Sequence, residues 1–211
     1  MGRIIVVDDT AVTRQGLAAI LGQAGHDVRP VADHASLQPF LSPDHVDVVV
    51  CDLYLDGPDA PPSWETLAAL AEAEVPTIVY STWALDTDIL ASLGHGVRAF
   101  LQKGASTDPL EQAVAHVLET PDSDLPMLTP ELAGALRRQE EFGLTEAEVD
   151  VLRHLSLHLT NAEVAEARFT SVDTVKTQVT SIRRKLGAAT RGDAVRQARE
   201  HGLIGSWYVR G

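Results

Sequence analysis

One cysteine, Cys51, occurs in 211 residues, so no internal disulfide can form and a stapled extracellular scaffold is excluded. Long apolar runs are missing as well. None approaches the roughly 20 residues that a membrane helix requires, and no membrane partner is expected. Asp8 and Asp9 break the opening apolar run Ile4–Val7 too early for a secretory leader. These absences together predict a reducing, cytoplasmic setting. No glycine-rich phosphate loop occurs in the first half, which disfavours nucleotide binding. Basic side chains are scarce, 17 Lys and Arg against 30 Asp and Glu, and the net charge of −13 read alone argues against a nucleic-acid partner.

What is present changes that last inference. Hydrophobic residues make up 45% of the chain, enough for a sizeable core, and the length allows one large domain or two small ones. Residues 1–118 hold 5 basic and 16 acidic side chains, a net −11, and residues 119–143 a net −4. Residues 144–211 hold 10 basic and 8 acidic, a net +2. Within them, Lys176, Arg183, Arg184, Lys185 and Arg191 face only Asp173 across residues 172–191. Such a charge step predicts two modules with different partners.

The first 118 residues alternate strand and helix patterns. Ile4–Val7, Val46–Cys51 and Thr77–Tyr80 are short β-branched runs, with weaker strand candidates at Asp27–Val31 and Val97–Leu101. Helical stretches fall near 12–23, 34–41, 63–73, 86–94 and 107–119. Five βα repeats predict an α/β fold with a doubly wound, five-stranded parallel sheet. Residues 119–143 read as a linker: Pro121–Pro126 is turn-rich and acidic, and Thr129-Pro130 starts a short helix through about Gln139. Residues 144–211 show no strand pattern and read as a separate all-α unit of four helices, the first opened by a Thr145/Glu148 capping box.

Ligands of an open parallel sheet bind beyond the carboxyl ends of its strands. The residues just past the expected strands are Asp8, Asp9, Asp52, Ser81 and Lys103. Three clustered carboxylates call for a cation, and hard oxygen donors suit Mg²⁺. A lysine and a serine opposite them suit phosphoryl oxygens, so the set can accept a phosphoryl group on one of its own carboxylates. Taken singly, each of these residues reads as a helix cap or a solvated strand end.

Val7-Asp8-Asp9, Cys51-Asp52-Leu53-Tyr54, Tyr80-Ser81-Thr82 and Phe100-Leu101-Gln102-Lys103-Gly104-Ala105 resemble the receiver domain of bacterial two-component response regulators, over residues 3–118. The resemblance implies a flavodoxin-like fold with Asp52 as phosphoacceptor. It also implies Mg²⁺ held by Asp8, Asp9, Asp52 and the Tyr54 carbonyl, and phosphoryl oxygens bound by Ser81 and Lys103. Ser81 and Phe100 would be the switch pair. Gly104 stands where the family usually has proline, so no cis-proline turn is expected, and the loop Asp56–Pro62 is longer and richer in proline than usual. Tyr54 and Trp83 occupy positions that influence the access of hydrolytic water in receivers, and their bulk predicts slow self-dephosphorylation.

In residues 171–186, Val172, Val175, Val179, Ile182 and Leu186 form one apolar stripe at helical spacing, with Lys176, Thr177, Thr180, Arg183 and Arg184 off it. Such a helix fits the DNA major groove, and it equally fits a small helical interaction domain. Leu144-Thr145, Glu148–Leu152, Thr160–Ala165, Ser171–Thr177 and Ile182–Gly187 are similar to the LuxR-type helix-turn-helix, over residues 144–204. A receiver joined to that module is the arrangement of the NarL/FixJ family. The resemblance implies that Lys176, Thr177 and Thr180 face base edges, with Thr160, Asn161, Thr174, Arg184 and Lys185 as phosphate contacts. His158 and Gln178 replace the family's usual glycine and histidine.

Two other patterns carry blander readings. Asp150, His154 and His158 share i, i+4, i+8 spacing without a further ligand and read as a solvated face. Cys51, inside an expected strand, reads as a small core residue.

The function expected is therefore a transcriptional regulator that binds a double-stranded DNA operator, and not an enzyme. A sensor histidine kinase would phosphorylate Asp52 with Mg²⁺, coupling homodimer formation to operator binding. One alternative keeps the DNA binding and makes the receiver a dimerisation or ligand-sensing module without phosphorylation. An aspartyl-phosphate hydrolase needs a second carboxylate two residues after its nucleophile, where this chain has Tyr54.

Overall fold

A computed structural model describes residues 1–204 except Pro58, Asp59, Ala84 and Ala105, and it describes only the backbone of Gln139, Glu140 and Glu146. Two residues of the proline-rich loop, the last residue of the Phe100–Ala105 motif and residues 205–211 thus lie outside the described set. Packing divides the chain into two compact units, Met1–Ala84 with Asp88–Leu132, and Leu85–Thr87 with Ala133–Gly211.

The first unit is a parallel five-stranded sheet in the order β2-β1-β3-β4-β5. The strands are β1 (Arg3–Val7), β2 (Asp27–Val31), β3 (Val48–Cys51), β4 (Thr77–Ser81) and β5 (Val97–Gln102), interleaved with α1 (Ala11–Gln23), α2 (His34–Leu37), α3 (Trp64–Glu72), α4 (Asp86–Leu93) and α5 (Asp108–Glu119). The apolar runs of β1, β3 and β4 are buried on both faces, as parallel strands between helical layers require. One face packs Ile4, Val6, Val48, Val50, Ile78 and Leu101 against Leu17 and Leu21 of α1 and Leu110 and Val114 of α5. Strand order reverses between β1 and β3, which opens a crevice at their carboxyl ends.

Three local expectations shift. The strand expected from Val46 begins at Val48, because Asp47 turns to the edge of β1, where its carboxylate accepts from the Arg3 backbone N–H at 2.7 Å. The helix expected over 34–41 ends at Leu37 and continues as a 3₁₀ turn, Gln38–Phe40, since Pro39 removes a backbone donor. The helix expected to end near Gln139 is α6 (Pro130–Phe142), which meets no breaker before Gly143, whose φ is +58°.

The residues before α6 cover the outer edge of β5. The Met127 N–H donates to the Arg98 carbonyl at 2.7 Å, the Thr129 hydroxyl to the Phe100 carbonyl at 2.8 Å, and the Gln102 N–H to Glu131 at 3.0 Å. Alternate residues of the strand are thereby satisfied along an edge otherwise open to pairing.

In the second unit, α7 (Glu146–Ser156), α8 (Asn161–Ala167), α9 (Val172–Lys185) and α10 (Arg191–Glu200) surround one core that includes Val151, Leu152, Leu155, Val164, Val175, Ile182, Val195 and Ala198. Capping boxes at Thr145/Glu148 and Thr160/Glu163 open α7 and α8, and Ser171 and Thr190 cap α9 and α10. Val175, Ile182 and Leu186 of the expected stripe are buried and Val179 packs against the core, but Val172 is exposed because it occupies the first turn, beyond the core's edge.

Candidate functional site

The crevice collects the residues that follow the strands. Asp8 and Asp9 leave β1, Asp52 leaves β3, Ser81 ends β4 and Lys103 follows β5. The carboxylate oxygens of Asp8, Asp9 and Asp52 lie within 4.8 Å of one another. Lys103 Nζ donates to Asp8 Oδ2 at 2.7 Å and to Asp52 Oδ2 at 2.5 Å. The other Asp52 oxygen, Oδ1, accepts from the Ser81 hydroxyl at 2.7 Å and from the Tyr54 backbone N–H at 3.2 Å. Asp8 is 1% exposed and Asp52 7%, while Asp9 is open to solvent.

Burial pushes the Asp8 carboxyl above its ordinary pKa, against the opposing pull of Lys103. Burial also pulls the Lys103 ammonium down, but Asp52 and Asp8 outweigh it and hold its pKa above that of an ordinary lysine. One ammonium thus faces three carboxylates, an excess of negative charge that a divalent cation would balance. The donor set is all hard oxygen with one open side at Asp9, which fits Mg²⁺ and does not fit a softer metal.

Arg14 is a residue that the sequence reading did not single out. It donates to the Asp8 carbonyl at 2.5 Å and to the Asp9 carbonyl at 3.2 Å, bracing the acidic turn from α1. Its only sequence signal is its place in the first helix after that turn. Cys51 is fully buried in β3, and desolvation raises its thiol pKa far above the ordinary value, as befits a core residue. Phe100 is buried in β5. No cis peptide bond occurs among the described residues, in keeping with Gly104 after Lys103. The two bulky aromatics differ: Trp83 is 39% exposed, whereas Tyr54 is 3% exposed and donates its hydroxyl to Asp88 of α4.

On the helical unit, Lys176, Thr177, Thr180 and Arg184 line one surface hollow of α9 together with Ser181. Thr177 and Thr180 hydroxyls donate back to the Asp173 and Lys176 carbonyls at 2.9 Å, leaving their methyls outward on an exposed face. Thr174 is exposed at the first turn of α9, while Thr160 caps α8 and half-buried Asn161 begins it. Lys185 differs from the other expected phosphate contacts. Its ammonium donates to Glu148 Oε2 at 2.7 Å and braces α9 against α7. Gln178 accepts from Arg168 at 2.9 Å, and Arg168 also donates to Asp150 at 2.6 Å.

His158 adopts φ +62°, the left-handed conformation that explains why its family counterparts are glycine. It therefore lies past the end of α7, and Asp150, His154 and His158 do not share one helix face. Among the described residues, the Asp8–Asp9–Asp52 group is the one that brings three potential metal ligands together.

Comparison with known proteins agrees with this geometry. Residues 4–115 match the response regulator receiver domain, and residues 143–198 match the bacterial regulatory proteins of the luxR family. The chain therefore belongs to the response regulators, in the NarL/FixJ arrangement of receiver and LuxR-type helix-turn-helix. As such it is a DNA-binding transcriptional regulator of the two-component type. It is 26% identical over 208 residues to the response regulator protein VraR of Staphylococcus epidermidis, covering 96% of this chain and 98% of that one. It is 27% identical to the transcriptional regulatory protein YdfI of Bacillus subtilis over 222 residues, covering 97% and 98%. Among solved structures, the RcsB response regulator of Salmonella typhimurium shares the fold with a TM-score of 0.65 at 19% identity, covering 93% and 98%. A structure of RcsB from Salmonella enterica serovar Typhimurium bound to a promoter in the presence of the phosphomimetic BeF3⁻ has a TM-score of 0.62 at 19% identity, covering 96% and 99%. Among the described residues, no helix is long and apolar enough to cross a membrane.

Proposed function

We propose that this regulator is switched by phosphorylation of Asp52, with a sensor histidine kinase as donor. The observation that carries the reading is the convergence of Asp8, Asp9, Asp52, Ser81 and Lys103 in one crevice. An Asp52 oxygen attacks phosphorus, the bond from phosphorus to the donor atom breaks, and the donor leaves with the electron pair. Asp8, Asp9, Asp52 and the Tyr54 carbonyl would hold Mg²⁺, which supplies charge neutralisation for the incoming phosphoryl group. Lys103 and Ser81, already hydrogen-bonded to Asp52, would move with their donors onto the phosphoryl oxygens. The product carries up to about two negative charges where the Asp52 carboxylate carried one, and Ser81 and buried Phe100 are the residues that would read the change.

The output is binding of a double-stranded operator as a homodimer. Two α9 helices would enter half-sites about one DNA turn, ~34 Å, apart. Lys176, Thr177 and Thr180 would read base edges, and Thr160, Asn161, Thr174, Arg184 and Lys185 would meet phosphates. For Lys185 this requires release from Glu148.

Intact-mass measurement on the full chain tests the reading. With acetyl phosphate and Mg²⁺ the expected result is a gain of one phosphoryl group, lost with chelator and lost in Asp52→Asn. A chain that binds its operator tightly yet never takes the label would favour the phosphorylation-independent reading.

A further inference from the structure

Tyr54 connects the phosphoacceptor to α4. Its backbone N–H donates to Asp52 Oδ1 at 3.2 Å, and its hydroxyl donates to Asp88 Oδ2 across 34 residues of sequence. Tyr54 and Asp88 are each 3% exposed. A buried carboxylate is costly unless it is well paired, so a core position of this kind would ordinarily hold an apolar side chain. A carboxylate early in a helix suits the helix dipole, but that favours any residue of the first turn and does not require burial against a tyrosine hydroxyl. Among the described residues between Asp52 and Ser63 there is no strand or helix; the Ser63 N–H to the Leu53 carbonyl at 2.7 Å and the Gly57 N–H to the Tyr54 carbonyl at 3.3 Å pin part of this loop, and side-chain anchors add to them. Tyr54 is such an anchor: one end of the residue touches the reacting carboxylate and the other is held by α4.

We propose that Asp88 is a positioning residue for phosphoryl uptake. By holding the Tyr54 hydroxyl, it keeps the Tyr54 N–H on Asp52 Oδ1. That oxygen, also bonded to Ser81, fixes the rotation of the carboxylate and leaves Oδ2 to the Lys103 ammonium. If the Tyr54 carbonyl is a Mg²⁺ ligand, as proposed above, the same anchor would position it. The inference rests on Asp52 being the phosphoacceptor.

The test follows the rate of label uptake by the full chain from acetyl phosphate at saturating Mg²⁺, as a function of acetyl phosphate concentration. Asp88→Ala and Tyr54→Phe are each expected to lower the maximal rate about tenfold, the scale of cost expected from a small misplacement of a reacting group. The half-saturating acetyl phosphate concentration should stay unchanged. The double variant should lose no more than either single one, because both remove the same hydrogen bond. Asp88→Asn keeps an acceptor and should recover most of the rate. Mg²⁺ titrated calorimetrically without any phosphoryl donor should bind more weakly to Asp88→Ala and Tyr54→Phe than to the wild type.

A purely structural role would lower melting temperatures while leaving the rate per folded molecule at the wild-type value, and that result would overturn the proposal. So would single losses that multiply in the double variant. If Asp88→Ala does not fold, Tyr54→Phe, which removes one oxygen, decides by itself. Wild-type chain that takes no label overturns the Asp52 reading, and with it this one; labelled wild type beside unaffected variants overturns this one alone.

Discussion

The Lys185 ammonium lies 2.7 Å from the Glu148 carboxylate and ties the end of α9 to the start of α7. Glu148 also closes the α7 capping box, accepting from the Thr145 backbone N–H at 2.7 Å. Burial alone would raise the pKa of this carboxyl; hydrogen bonds from Lys185, Ser181 and Thr145 outweigh it and bring the pKa down to about 2.

A depressed folded-state pKa gives stability that is present above the unfolded value of 4.5 and is lost as pH falls toward about 2. Glu148→Gln is expected to destabilise the helical unit by up to about 3 kcal/mol at pH 7, since it leaves Lys185 without its anion. Melting of variant and wild type from pH 7 downward checks this. The gap should begin to shrink below about pH 5 and close near pH 2.

His158→Gly should stabilise the same unit by about 1 kcal/mol. His158 holds φ +62°, where an L-residue's Cβ is strained and glycine is not. A rise in the melting temperature of the full chain is the expected readout, and an unchanged or lower one would refute the strain argument.

Thr129 holds two groups with one hydroxyl, donating to the Phe100 carbonyl at 2.8 Å and accepting from the Leu132 N–H at 3.2 Å. It is 1% exposed. Thr129→Val keeps the shape and removes both bonds, at an expected cost of about 2 kcal/mol from a lost cap and an unpaired carbonyl. Hydrogen exchange should quicken at Leu132 and at Gln102, the neighbouring amide on the same edge, while Thr129→Ser should behave nearly as wild type.

Lys176 is exposed, and its ion-pair partner Asp173 is itself almost fully in solvent. Lys176→Ala is expected to weaken operator binding by ~1–3 kcal/mol and to relax the preference at one base position. Arg184→Ala should weaken binding to all sequences and reduce the salt dependence by about one counterion. A titration of each variant on operator and scrambled DNA at several salt concentrations separates the two roles.

Much of this chain was legible from local pattern. The β-branched runs, the helical stripe of Val175, Ile182 and Leu186, and the cap at Thr145 are short-range signals, and the elements formed within a residue or two of where those signals lie. The crevice was legible because parallel strands all end on the same side, so residues that follow them must converge. The longer α6 was not, since nothing before Gly143 marks an end and the helix simply continues. The resemblance implies a phosphate contact at Lys185, and nothing local to the residue shows its partner in the fold. One residue's rotation around the helix turns it inward, onto a carboxylate 37 positions away.

Charge shows the same division. The net −13 is a property of composition, but its assignment to an acidic sheet unit and a basic helix face follows from position along the chain, so the sequence alone determined how the charge divides. It also determined the element types and the residues at the strand ends, because periodicity and chain direction are local. Only the tertiary structure decided that Tyr54 bonds to Asp88, Thr129 to Phe100 and Lys185 to Glu148. Those pairs lie 34, 29 and 37 residues apart, and no local pattern links partners that meet only once the core has packed.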